Sequence, residues 1–85
     1  MTDYRFAVIV ASEPMNHEKI LDAADALGKT GCTDASIRGH TEGMELLFDR
    51  AARSLQAAIA SAIADTEAAG YTVLRVEMQR EAIQV

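Results

Sequence analysis

Residues 4–11, YRFAVIVA, are apolar at every position except Arg5 and rich in β-branched and aromatic side chains. An extended segment with apolar groups on both faces belongs in the middle of a sheet, where neither face meets water. The rest of the chain must therefore supply strands to flank it and helices to cover it. SEPMN interrupts this strand with the only proline. From Asn16, a good N-cap residue, Ile20, Ala23, Ala24 and Leu27 recur at helical spacing, with Asp22, Asp25 and Lys29 on the other side. Gly28 and Gly31 then end the helix, because glycine accepts the left-handed C-terminal conformation without strain.

The next segment predicts a hairpin whose first strand starts near Cys32. With Gly39 facing Met44, Ile37 falls opposite Leu46 and Ala35 opposite Phe48 on one face. The other face pairs Arg38 with Glu45. It also sets Asp34 against Asp49, which is repulsive unless the strands part there. Gly43 supplies the left-handed residue of the HTEG connection. Ser54 caps a second helix, SLQAAIASAIADTEAAG, in which Leu55, Ile59, Ala62, Ile63 and Thr66 repeat at helical spacing before Gly70 closes it. YTVLRVEMQ is the last strand, with Leu74, Val76 and Met78 alternating against Val73, Arg75 and Glu77. The final REAIQV finds no partner. Strand, helix, strand, strand, helix, strand is the order of α+β ferredoxin-like domains. The expectation is a single such domain over residues 1–85: a four-stranded antiparallel sheet in order 4-1-3-2, with both helices on one face.

Charge and cysteine content narrow the function. The net charge is −5, with the acids dispersed along the chain. Affinity for a phosphate backbone comes from Lys and Arg, so no direct nucleic-acid binding is expected, and a basic protein partner suits the charge better. A single cysteine excludes an internal disulfide and fits a reducing compartment. MTDYRF carries an acid where a signal peptide wants bases, and no apolar run approaches the roughly 20 residues of a membrane span. A cytoplasmic protein without membrane contact is the expectation.

With helices on one face, the other is free for contact. The more apolar alternation is assigned to the helix side: Tyr4, Phe6, Val8, Val10; Ala35, Ile37; Met44, Leu46, Phe48; Leu74, Val76, Met78. The open face then holds Arg5, Ala7, Ile9; Ser36, Arg38, His40; Glu45, Leu47, Asp49; and Val73, Arg75, Glu77. Ile9 and Leu47, with Ala7 and Val73 close by, form a small apolar centre. Arg38, Glu45, Asp49 and Arg75 rim it, as at a modest protein interface. Sheet-to-sheet homodimerisation through this face is the expected association.

Other chemistries lack their signatures. RNA-recognition domains of this topology stack bases on aromatics of the central strands, where this chain has Ile9 and Leu47. The first loop has no Cys-x-x-Cys pair for a soft metal and no arginine for acylphosphatase-like catalysis. His40, Glu42, Glu45 and Asp49 are metal-type residues, but they spread along the hairpin and read as its solvated trim. No cofactor is expected. Cys32 reads as a small buried hydrophobe and His17 as an exposed residue of the first helical turn. Arg50 and Arg53, before the second helix, suggest either a phosphate or carboxylate site or a salt bridge to Asp49. An ACT-like sensor of small ligands wants an acid and a glycine after the first strand, and only Glu13 is present.

DALGKTGCTDASIRG together with FDRAARSLQAAIASAIADTEAAGYTVLRVE resembles the N-terminal ferredoxin-like domain of a group of small bacterial proteins described as DNA-binding helix-turn-helix regulators. The resemblance covers most of the chain and rests on hydrophobic spacing. Val85 falls where the helix-turn-helix would begin. The resemblance therefore implies a non-enzymatic dimerisation, sensing or partner-binding module of a regulator or antitoxin-like protein. In composition the chain also resembles small acidic inhibitors and immunity proteins that occupy a basic target surface.

Overall fold

The structure, a computed structural model, describes residues 2–13 and 16–78. REAIQV and the Pro14 of SEPMN lie outside the described residues. Along the chain come β1 (Thr2–Ala11), α1 (His17–Gly28), β2 (Ala35–His40), β3 (Gly43–Ala52), α2 (Leu55–Ala68) and β4 (Thr72–Met78). The strands form one four-stranded antiparallel sheet in the order β2-β3-β1-β4, the expected order read from the opposite edge. As YRFAVIVA demanded, β1 is central. It pairs with β3 from Thr2↔Ala52 to Ala11↔Gly43 and with β4 on its other side. The hairpin keeps the expected register, with Ala35↔Phe48, Ile37↔Leu46, Arg38↔Glu45 and Gly39↔Met44.

One face of the sheet meets both helices in a single core. Phe6, Val8 and Val10 of β1 and Met44, Leu46 and Phe48 of β3 pack with Ala23 and Leu27 of α1 and Ala58 and Ala62 of α2. Phe6 and Phe48 are register partners and stack with ring centroids 5.5 Å apart. α2 buries Ala58, Ala62 and Thr66, while Leu55, Ile59 and Ile63 are only half-buried. The expected apolar stripe is thus rotated, because the small side chains let the helix axis approach the sheet. Both N-caps are as expected: Asn16 accepts from the Lys19 N–H at 2.9 Å and Ser54 from the Ala57 N–H at 3.1 Å.

Three expectations need correction. Gly28 is still helical, and the left-handed residue after α1 is Gly31, whose φ is +101°. Cys32 is buried as expected but lies in the connection, since β2 starts only at Ala35. In β4, Ile9 pairs with Arg75 but Val10 pairs with Val73, which leaves Leu74 as the extra residue of a bulge. A bulge shifts the alternation by one. Val73 therefore packs against the core instead of joining the open face, and Leu74 is 46% exposed instead of facing the helices. Among the described residues no helix is long and apolar enough to cross a membrane.

Candidate functional site

The open face is built from register. Arg5, Ala7 and Ile9 of β1 alternate with the core residues Phe6, Val8 and Val10, and their partners on β3 are Asp49, Leu47 and Glu45. Ser36 and Arg38 extend the face onto β2, and Arg75 and Glu77 onto β4. Every arginine here holds a carboxylate of the same face. Arg38 Nε lies 2.5 Å from Glu45 Oε1, the cross-strand pair expected from the hairpin. Arg5 Nε lies 3.6 Å from Asp49. Arg75 bonds Glu77 at 2.9 Å and Glu42 at 2.6 Å. Glu42 stands in the β2–β3 turn, so the Arg75 side chain must span β1 to reach it. That guanidinium holds the Glu42 carboxyl below its ordinary range.

The apolar centre between these ion pairs is smaller than expected. Ala7 and Ile9 are 1% and 0% exposed within the single chain, so neither is available to a partner. With Val73 turned to the core, Leu47 is the residue of the expected centre that stays half-buried on the open face. It lies at a cavity of about 410 Å³, lined also by Arg5, Ser36, Arg38 and Asp49 of the open face and by Asp34, Phe6 and Phe48. Long side chains that cross a strand can cover a central apolar residue with their stems while their charged ends stay wet.

The other polar residues separate into local roles. His40 Nδ1 accepts the Glu42 N–H at 3.1 Å and braces the turn. Glu42, Glu45 and Asp49 each belong to a different arginine, and among the described residues no three His, Cys, Asp or Glu side chains gather as a metal site would require. Cys32 Sγ lies 4.0 Å from Thr66 Oγ1, and burial pushes its thiol up, which keeps it protonated and poorly nucleophilic at neutral pH. Glu13 in the first loop is held by Lys19 at 2.9 Å.

Arg50 is the functional-looking residue that the sequence placed wrongly. Its guanidinium does not bridge to Asp49. It is buried between β3, α2 and the α1–β2 connection. There Nε and Nη2 donate to both oxygens of Asp34, at 2.8 and 2.9 Å. Nη1 donates to Ser61 Oγ at 3.1 Å and Asp65 Oδ2 at 3.0 Å, and Nη2 also reaches the Gly31 carbonyl at 3.0 Å. Its carbon centre lies 4.9 Å from the Phe48 ring centroid. With every N–H engaged, this group has no donor left for a phosphate. The repulsive Asp34–Asp49 pairing was the signal in the sequence: Asp34 turns to Arg50 while Asp49 turns to Arg5. Arg53, by contrast, is exposed. The chain matches no family model, no curated protein and no solved structure in the comparisons made.

Proposed function

We propose that the chain is a ferredoxin-like protein-interaction domain, non-enzymatic in itself, whose open sheet face receives a side chain from another protein. The element order and strand order support the fold part of this reading. The observation that carries the functional part is the cavity at Leu47, open on the uncovered face and ringed by charged side chains. A buried anchor in a pocket with a polar rim is how compact interfaces concentrate their binding energy. The rim charges are already paired with one another, so the anchor that fits best is apolar. The resemblance to regulator domains implies a dimerisation, sensing or partner-binding module, and this reading is the partner-binding one.

Sheet-to-sheet self-packing relied on Ile9 and Leu47 together. With Ile9 covered, a cavity replaces the flat apolar patch, and we assign it to a protruding side chain of an unlike protein. A photoreactive phenylalanine analogue at Leu47, introduced in the source cells, tests the assignment. One discrete covalent adduct is expected, with none when the analogue replaces Asp22 on α1. Equal labelling at the two positions would sink the reading, and an adduct of the chain with itself would return the face to homodimerisation.

A further inference from the structure

The outward side of α2 is a surface of a different kind. From Ser54 to Ala64 the chain has no ionisable residue. A surface helix ordinarily shows a charged or strongly polar outer face, and this stretch of α2 lacks one. Ala58, Ala62 and Thr66 face the sheet, Leu55 and Ile59 also pack against the core with part of their surface, and Leu55, Gln56, Ile59, Ala60 and Ile63 line an outward groove of about 410 Å³. Charge returns only at the two ends of this surface. Arg53 is exposed just before the N-cap, and Glu67 is exposed in the last turn. Ala60 is seven residues, close to two turns, from each of them. Arg5, Lys19, Lys29, Arg38, Arg50 and Arg75 each have a carboxylate within 4.0 Å; of the lysines and arginines among the described residues, Arg53 is the one that has none.

We infer that a second copy of this chain packs against this groove, with the two α2 helices antiparallel about a two-fold axis at Ala60. Such an axis sets Arg53 of one copy against Glu67 of the other at both ends, with an uncharged contact between them. It also brings each helix N-terminus to the other's C-terminus, where the dipoles attract. A parallel arrangement would oppose like charges. An uncharged centre with opposite charges at opposite ends is complementary to itself, which is the property a homodimer face needs. The surface lies across the sheet from Leu47 and does not depend on what the open face binds.

Light scattering and sedimentation equilibrium on the whole chain test this. The native chain should dimerise with rising concentration. Arg53→Glu or Glu67→Arg alone should weaken the dimer roughly tenfold, through two lost pairs and the new repulsion. The double exchange, R53E with E67R, should restore it. Ala60→Glu, at an exposed position, should abolish dimerisation with an unchanged circular dichroism spectrum. A chain monomeric at the highest concentrations overturns the inference. So do single reversals without effect, a double exchange that does not restore, or association removed by Leu47→Asp and not by Ala60→Glu.

Discussion

Arg50→Met is expected to cost about 3–5 kcal/mol of folding stability, the usual range for removing one partner of a buried ion pair. The methionine keeps much of the packing against Phe48 but leaves two carboxylates, Asp34 and Asp65, and the Gly31 carbonyl without their donor. Small domains are stable by only about 5–15 kcal/mol, so the variant should be close to unfolding at room temperature. Arg50→Lys should recover little, because an ammonium with three N–H donors cannot serve both oxygens of Asp34 and three further acceptors. Urea titration at neutral pH measures the loss, and an unchanged midpoint would refute the clasp.

The same pair predicts a pH dependence. Arg50 holds the Asp34 carboxyl below its ordinary range in the folded chain. A depressed folded value gives stability that is fully present above the unfolded pKa of about 3.9, and that is lost as pH falls through the folded value. The stability gap between the native chain and Arg50→Met should therefore narrow below about pH 4. A gap that stays constant into acid would show that the Asp34 charge contributes nothing.

Gly43→Ala is expected to be comparably severe, at roughly 2–4 kcal/mol, from backbone strain and overpacking together. Gly43 has a φ of +145°, and a Cβ there would sit 2.3 Å from the Val10 carbonyl oxygen and 2.4 Å from the Ser12 nitrogen. Both obstacles are backbone, near the end of β1 and one residue past it, and β1 pairs with Gly43 through Ala11. Relief requires the end of the central pair to open. Gly39, in the same hairpin, has nothing within 4 Å of its Cβ position. Gly39→Ala should consequently change stability by less than about 0.5 kcal/mol. Thermal midpoints of the two variants decide the matter: similar values for both would mean that the turn tolerates a side chain.

How much of this was legible depended on how local the determinant was. The β2–β3 register followed from one alternation and one turn, and the Arg38–Glu45 pair came with it. The bulge was not legible, because Val73 and Leu74 are both apolar and either phase of the alternation looks buried. Covering of Ile9 was hidden for another reason. The register partner of Ile9, Arg75, reaches a turn that is distant in sequence, and alternation patterns say nothing about side-chain reach. The Arg50 clasp gathers residues from three segments, yet it left a trace in the one unfavourable pairing of the hairpin.

The layering of the domain bears on how its weak contacts add up. Helices occupy one side of the sheet and the Leu47 cavity opens on the other. A pair joined through α2 would turn both cavities outward, away from the shared axis. Such a particle is bivalent, and against a target that repeats its own binding motif the second engagement is intramolecular. Effective concentration can then raise the overall affinity by about 10²–10⁴ with no new contact. A shallow cavity that holds one anchor poorly would hold two well, and occupancy would follow the spacing of the target as much as its sequence.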